Sequence, residues 1–394
     1  MPRSIPALVT PALLSWARER AGLKLEAAAE RAGFHPTTLE EWEAGHEAPT
    51  IAQARKLGEI YKRPLAVFFL PEPPRDFDPQ REFRRLPGLT LEDESTELRN
   101  ALRQALYRRQ AALDIYEQLG EHPPRLTATA HPQEDPEEVG ARIRRLLNIS
   151  WETQVGWSSA SAALNEWRAA IESLGILVFQ TSDVSLSEMR GTSITRPPLP
   201  VILLNSSDAA HGRIFTMLHE FAHILLANGG HDTSSMASRP KPEDQLLERI
   251  SNRFASAALL PRTEFLSELS QYPGALIGDD DSLRRIANRI KASPEAILRR
   301  LVSLQRVPNS LYRAKRNRWQ TRNWYAPAST GGGPPIEMRV IATAGRPFVS
   351  LILDAYNRHV VSSADLPDYL GVQLKYVDRI ARQLAAGPAP DASA

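Results

Sequence analysis

Residues 213–228 read RIFTMLHEFAHILLAN and place the pattern H-E-x-x-H at His219, Glu220 and His223. Because residues four apart share one face of a helix, the two imidazoles can reach the same metal ion. Neutral imidazole is a good ligand for zinc, and zinc lowers the pKa of a bound water to about 7. Glu220 is then placed to take the proton of that water and return it to a leaving amine. The stretch therefore predicts a helix that carries a catalytic zinc site.

The flanks of this pattern are almost entirely apolar, which indicates a helix that is buried nearly all round. Buried histidine and glutamate side chains need polar partners, and a metal ion supplies one. The alternative is a core helix whose two histidines hydrogen-bond to the backbone. The apolar flanking residues are Ile214, Phe215, Met217, Leu218, Phe221, Ala222, Ile224, Leu225 and Leu226.

A catalytic zinc usually has three protein ligands, so a third ligand is expected downstream. Glu248 is the favoured candidate, because residues 246–261 (LLERISNRFASAALLP) predict a second helix that ends near Pro261. Asn252 lies one turn further on the same face and is expected to hydrogen-bond a histidine ligand. His231 and Asp232 are the rival ligands, but they follow two glycines in a predicted loop, which would hold them less firmly.

These two stretches resemble the ImmA/IrrE-type metallopeptidases, which are bacterial zinc proteases that cleave helix-turn-helix repressors and so relieve repression. The resemblance implies His219, His223 and Glu248 as metal ligands and Glu220 as general base. The family often has a second acidic residue two positions after the ligand glutamate, where this chain has Ile250, and alanine after that, where it has Ser251. The matching segments are Arg213-x-Phe-Thr-x-x-His-Glu-x-x-His, then Glu248-x-x-x-Asn252-x-Phe254-Ala255, and Leu259-Leu260-Pro261.

Length and composition limit the class of protein. A chain of 394 residues predicts two or three domains, and 42% hydrophobic with 24% charged residues is typical of a globular protein. The absence of cysteine excludes disulfides, cysteine-ligated zinc and thiol catalysis. The chain has no run of about 18 apolar residues and no apolar signal-peptide core near Met1, so we expect a cytoplasmic protein without a membrane partner.

Residues 1–71 predict five short helices with glycines at their ends, a pattern typical of a helix-turn-helix domain. The segment resembles the XRE (phage-repressor-like) helix-turn-helix family, which implies a five-helix DNA-binding domain whose third helix enters the major groove. The matching positions are Gly22-Leu23, Ala29, Ala32-Gly33, Leu39, Trp42-Glu43-x-Gly45 and Pro49-Thr50.

The third helix offers few groups that read bases. Its predicted face carries Thr37, Thr38, Glu40 and Glu41, whereas Arg, Lys, Asn and Gln are the usual readers. Specific DNA binding by this domain therefore competes with a second interpretation, in which the scaffold contacts protein.

A second candidate for nucleic-acid binding lies near the carboxyl end of the predicted peptidase domain. Residues 282–325 contain twelve Lys or Arg against one acidic residue, a net of +11. Basic residues interleaved with aromatic ones suit phosphate contacts and base stacking. The alternative is a solvated basic face, or a partner for the acidic helix of the first domain. The densest basic residues are Arg313, Lys315, Arg316, Arg318 and Arg322, and the aromatic ones are Tyr312, Trp319, Trp324 and Tyr325.

The sequence thus predicts a mainly helical α+β protein. The XRE-like domain (1–71) is followed by a linker and helical bridge (72–150), an ImmA/IrrE-like, zincin-like peptidase domain (151–325) and a small C-terminal helical unit (336–385). The peptidase domain is expected to lay a small sheet over the metal helix, with an edge strand that pairs with extended substrate. A long helix over 92–119 either bridges the domains or forms a homodimer contact.

The expected function is a zinc-dependent metalloendopeptidase that regulates transcription by cleaving a repressor or antitoxin-like protein; manganese is also compatible with the ligand set. The rival interpretations are a DNA-binding regulator whose peptidase site is vestigial or a sensor, and an antitoxin-like interaction protein without enzymatic activity.

Overall fold

The computed structural model describes residues 6–73, 94–231, 242–272, 279–321 and 333–386. Contacts within the chain define a first compact unit that reaches Leu106 and a second that starts at Tyr107. Most of the predicted linker, residues 74–93, lies outside the described residues. Among the helices that the structure describes, none is both long and apolar enough to cross a membrane.

The first unit contains the five predicted helices, the last of which is a 3-10 helix. Gly33 and Gly45 end the second and third helices with φ angles of 64° and 77°, where a side chain would be strained. Thr50 caps the fourth helix in a reciprocal capping box with Gln53. Thr10 does not cap the first helix as its position suggests, because its hydroxyl donates to the Leu70 carbonyl at 2.7 Å. The elements are α1 (Pro11–Arg20), α2 (Leu25–Ala32), α3 (Pro36–Ala44), α4 (Ile51–Tyr61) and the 3-10 helix Leu65–Phe69.

An ion pair fixes the third helix of this unit against the first. Arg18 Nε donates to Glu43 Oε1 at 2.7 Å, and only 13% and 8% of these side chains are exposed. Glu43 therefore belongs to the domain interior, whereas Glu40 and Glu41 on the same helix are exposed. The acidic character of the α3 surface comes from these two residues.

The second unit is a helical assembly around one small sheet. Its long helix, α5 (Thr96–Leu119), begins in the first unit and ends in the second. The remaining helices before the sheet are α6 (Pro136–Leu146), α7 (Trp151–Gly156) and α8 (Ala160–Glu172). Those after it are α9 (Ala210–Asn228), α10 (Pro242–Leu259), α11 (Arg262–Ser270), α12 (Asp280–Ile290), α13 (Pro294–Ser303), α14 (Asn309–Thr321), α15 (Ile336–Ala344), α16 (Arg346–Asn357), α17 (Leu366–Leu370) and α18 (Val377–Ala385), with a 3-10 turn at Leu374–Tyr376.

The predicted sheet is confirmed, with three strands β1 (Leu177–Thr181), β2 (Gly191–Ile194) and β3 (Val201–Asn205) in the order β1-β3-β2. β1 runs parallel to β3, and β2 runs antiparallel to it. β2 passes so close to α9 that a Cβ on Gly191 would collide with Cγ2 of Thr216. Glycine at this position therefore lets the edge strand lie directly on the metal helix.

The C-terminal helices form an outer layer on β1. The Ala342 carbonyl of α15 accepts hydrogen bonds from Arg168 Nη1 at 2.6 Å and from Gln180 Nε2 at 3.1 Å. The rings of Phe348 in α16 and Phe179 in β1 meet edge to face, with centroids 5.8 Å apart. The C-terminal unit thus completes the packing around the sheet.

The basic helix α14 differs from the sequence expectation. Tyr312, Lys315 and Trp319 face inward and are buried, and Lys315 Nζ binds Asp280 Oδ1 at 2.7 Å. The segment with the net charge of +11, residues 282–325, begins just after Asp279, Asp280 and Asp281. Of these three aspartates, Asp280 pairs with α14 through Lys315. Lys315 is therefore a structural residue and is not offered to phosphate, and Tyr312 and Trp319 are core residues and not stacking platforms.

Candidate metal centre

Three predicted ligands meet between α9 and α10. The Nε2 atoms of His219 and His223 are 3.1 Å apart. The two oxygens of Glu248 lie 3.3 Å from His219 Nε2 and 3.5 Å from His223 Nε2. Among the described residues, these three form the group of His, Asp and Glu side chains that could hold a metal ion.

The spacing of these atoms fits a divalent ion. In a tetrahedral site with ligand distances of about 2.0–2.1 Å, the ligand atoms are about 3.3–3.4 Å from one another. The three observed separations, 3.1, 3.3 and 3.5 Å, all lie close to that range. Two neutral imidazole nitrogens and a carboxylate also form a donor set that suits such an ion. The side chains present therefore fit a metal without rearrangement.

Packing explains why the ligands converge. α9 is buried on nearly all sides, as its apolar flanks predict, and His223 is only 1% exposed. The Oγ of Ser251 lies 3.3 Å from Nδ1 of His223. When this hydroxyl accepts the Nδ1 proton, Nε2 is left as the lone-pair donor toward the centre of the triad. Ser251 stands where the resembling family often has alanine, and no spacing pattern in the sequence indicates this role.

Glu220 points to the sheet side of the metal helix. Glu220 is only 2% exposed, and Ser193 Oγ on β2 donates to Glu220 Oε2 at 2.7 Å. Ser193 itself is fully buried. The strand thus fixes the orientation of the carboxylate next to the ligand His219. Sequence reasoning missed Ser193, because a serine on a four-residue strand carries no recognisable pattern.

The other predicted residues near the metal are placed differently. The Asn252 amide donates to the main-chain carbonyl of Glu248 at 2.8 Å, instead of to the histidine ligand that its position predicts. His231 lies against His131, with Nε2 and Nδ1 3.4 Å apart, and is not part of the ligand cluster. Asp232, the second rival ligand, lies outside the described residues. Glu248 is therefore the described carboxylate that joins the two histidines.

His211 occupies the first turn of α9, two turns before the first ligand. Burial lowers its pKa to about 4, and the positive charge of Lys291 adds to this shift. A cation at a helix N-terminus is also opposed by the helix dipole. His211 is thus an uncharged imidazole at neutral pH.

The candidate nucleic-acid residues lie in two places. On α3, Thr37 is exposed and Thr38 is half-buried. On α14, Arg313, Arg316 and Arg318 are exposed, and Arg316 lies 3.6 Å from Glu295. Arg322 lies outside the described residues.

Comparison with known families agrees with this architecture. Residues 171–302, which contain the three ligand side chains, match the M78 peptidase model described as the IrrE N-terminal-like domain. Residues 14–68 match the helix-turn-helix model. No curated protein matches the chain significantly. A segment that matches an XRE-type helix-turn-helix model therefore precedes, along the chain, a segment that matches the IrrE N-terminal-like model of M78 peptidases.

Proposed function

We propose that this protein is a zinc-dependent metalloendopeptidase that acts in the cytoplasm and regulates transcription by cutting a helix-turn-helix repressor or an antitoxin-like protein. The observation that carries the proposal is the convergence of His219, His223 and Glu248 beside the buried Glu220. Manganese in place of zinc would leave the residue roles unchanged. We assign the helix-turn-helix domain to 1–71, the bridge to 72–150, the peptidase domain to 151–325 and the last helical unit to 336–385.

The proposed roles follow from where each side chain lies. His219, His223 and Glu248 would hold a divalent ion, which when bound would supply Lewis acidity for the attack of water on a peptide carbonyl. Glu220 accepts the proton of the attacking water and delivers it to the leaving amine. The hydrogen bond from Ser193 holds the Glu220 carboxylate in one orientation, so that little reorganisation is needed when the proton moves. Ser251 orients the His223 ring through its second nitrogen.

The sheet suggests how substrate would be held. β2 is the edge strand on the side of the metal helix, and an extended peptide added along such an edge would pass over the ligands. All four residues of β2 are buried, so the accessibility of this edge to a peptide has to be tested directly. Substrate pairing with β2 therefore remains a prediction.

A second candidate is a DNA-binding regulator whose peptidase domain is a sensor or vestigial. The match of residues 14–68 to the helix-turn-helix model favours DNA binding. In contrast, exposed Glu40 and Glu41 on α3 oppose phosphate and favour a protein partner such as the repressor itself. Both candidate functions retain the metal, but only the peptidase hydrolyses a peptide bond.

The deciding experiment incubates the metal-loaded protein with repressors encoded by neighbouring genes. We expect a single cut that is lost in Glu220→Gln, with metal content unchanged. Intact repressors in every incubation, together with stoichiometric metal and specific DNA binding, would favour the sensor version. Product masses locate the cleaved bond.

A further inference from the structure

A groove opens one helical turn from the metal ligands, between α6, α10 and α13. Its volume is about 560 Å³, within the range of about 300–1,000 Å³ that is typical of ligand sites. Phe215 lines it and precedes the ligand His219 by four residues on α9. Asn252 lines it and follows the ligand Glu248 by four residues on α10. Four residues correspond to about 6 Å along a helix, so the groove begins about two extended peptide residues from the triad.

The charged lining of this groove is dominated by arginine. Five arginines line it against two acidic residues, Asp135 and Glu137. Both carboxylates are engaged within the fold. Asp135 caps α6 by accepting from the Glu137 backbone N–H at 2.6 Å, and Glu137 accepts two bonds of 2.6 and 2.7 Å from the buried Arg300.

The remaining positive charge is exposed. Arg249, Arg253, Arg262 and Arg299 all have exposed side chains. Among the described residues, Arg262 and Arg299 form long ion pairs of 3.9 Å, to Glu137 and Glu295, and Arg299 Nε also donates to the Tyr312 hydroxyl at 2.8 Å. Arg249 and Arg253 have no ion-pair partner among the residues that the structure describes. They are one turn apart on α10, where like charges repel each other. An anionic ligand would relieve this repulsion.

The floor of the groove indicates which anion fits. Between the charged residues, the groove is lined by the apolar side chains of Phe215, Val302 and Leu304. A nucleic-acid backbone offers no aliphatic group for such a floor. A peptide can place an apolar side chain on it and carboxylates on the arginines, which bind carboxylates with two parallel hydrogen bonds.

We propose that this groove is a specificity subsite that binds an acidic peptide segment with an apolar residue, close to the scissile bond of the substrate. The proposal rests on the proposed function for its role in cleavage, but binding to the groove can be measured without hydrolysis. Arg249 and Arg253 read the acidic side chains, and Phe215, Val302 and Leu304 receive the apolar one.

The binding experiment uses full-length Glu220→Gln protein, loaded with zinc, so that bound peptide is not cut. The probes are a fluorescein-labelled peptide with glutamates on either side of one leucine, and a twin with glutamines in their place. We expect the glutamate peptide to bind about tenfold more tightly at low salt, since each charge-assisted bond adds to affinity. Arg249→Gln/Arg253→Gln should abolish this preference, whereas Arg306→Gln, an exposed arginine outside the lining, should keep it.

A charge reversal separates recognition from general damage. Arg249→Glu/Arg253→Glu, which makes the net charge of the lining negative, should bind a lysine-substituted twin better than the glutamate peptide, which a merely disturbed fold would not do. Equal binding of the glutamate and glutamine peptides, or a preference that survives the double substitution, would overturn the proposal. Tighter binding of a short single-stranded DNA that is lost in the double variant would also overturn it, in favour of nucleic acid.

Cleavage assays with the same peptides distinguish this proposal from the proposed function. Wild-type protein that binds the acidic peptide selectively but cuts nothing would sink the peptidase assignment and leave the subsite intact. Wild-type protein that cuts both twins with equal kcat/KM would support the peptidase and reject the subsite.

Discussion

Ser193 Oγ on strand β2 donates a hydrogen bond of 2.7 Å to Oε2 of Glu220 on helix α9. Both residues are almost inaccessible to water, at 0% and 2% exposure. A buried carboxylate needs such a partner, because burial without one carries a large desolvation cost. The sheet therefore positions the proposed base as well as flanking the metal helix.

The ligand assignment predicts about one metal ion per chain. Replacing His219, His223 or Glu248 by alanine should abolish stoichiometric binding, because the remaining ligands cannot complete the site. Elemental analysis of the dialysed proteins checks this, with His231→Ala as the matched control that keeps its metal. Full occupancy in all three variants would contradict the assignment.

The base assignment predicts a separation of binding from chemistry. Glu220→Gln should keep the metal and the thermal stability of the protein but lose more than about 100-fold in kcat, within the usual contribution of a general base. Ser193→Ala should lose about tenfold or more, since it removes one hydrogen bond to a charged group. Single-turnover cleavage of the identified repressor provides the measurement. Residual activity of Glu220→Gln within tenfold of wild type would rule out Glu220 as base.

The close approach of β2 to α9 predicts a rescue. Gly191→Ala adds a methyl group against Thr216 and should destabilise the protein by about 1–3 kcal/mol, as overpacking does. Displacement of β2 should also weaken the bond from Ser193 to Glu220 and lower kcat. Thr216→Ser removes the colliding methyl group, so the double variant should recover much of both losses. Urea denaturation and cleavage assays on the two single variants and the double variant test this, and additive losses would count against the contact.

The ion pair between half-buried Asp280 and buried Lys315 predicts a pH-dependent contribution to stability. Burial raises the pKa of Asp280, but the hydrogen bond and charge of Lys315 outweigh it, so the net pKa lies below the ordinary 3.8. The stabilisation is thus fully present above pH 3.8 and is lost as pH falls through the lower pKa of the folded state. Asp280→Asn should cost about 2–4 kcal/mol at pH 7, because it leaves Lys315 nearly buried without a counter-charge.

The matched control for this pair is Asp280→Asn combined with Lys315→Met, which removes both charges and should recover stability. Denaturant titrations at pH 7 and near pH 2.5 give the comparison. A difference between wild type and Asp280→Asn that stays constant with pH would refute the ion-pair explanation.

The exposed face of α14 predicts how nucleic acid would bind, if it binds there. Arg313→Ala, Arg316→Ala and Arg318→Ala together should reduce the slope of log K against log salt by up to about 0.9 for each lost phosphate contact. Lys315 is excluded from this set because it is buried. Substitution of Thr37 and Thr38 should instead affect sequence preference. Loss of all binding in the threonine variant, with the arginine variant unchanged, would assign DNA binding to the first domain alone.

Local signals in the sequence predicted much of this structure. Glycines at 33 and 45 and the H-E-x-x-H spacing act over one or two helical turns, and the helices they predict are present. Glu248 was found because it projects from a strongly patterned helix. The short helices Arg262–Ser270 and Ile336–Ala344 were not predicted.

What the sequence did not reveal depends on contacts between distant segments. The sequence predicts Lys315 as a phosphate contact, but in the structure its ammonium group binds Asp280, which lies 35 residues earlier in the chain. Ser193 and Ser251 are polar residues whose value comes only from the side chains opposite them. The segment 282–325 carries the predicted net positive charge, but the packing of α14 determines which of its basic side chains face solvent.

The layer formed by α15 and α16 has a practical consequence for the length of the chain. A chain truncated before Pro335 would lose the Ala342 carbonyl that accepts from Arg168 and Gln180, and Phe179 would lose its contact with Phe348. β1 would then present an uncovered sheet edge, which promotes strand addition between molecules. The segment that matches the peptidase model is residues 171–302. We expect this segment to self-associate when it is expressed without the C-terminal helices.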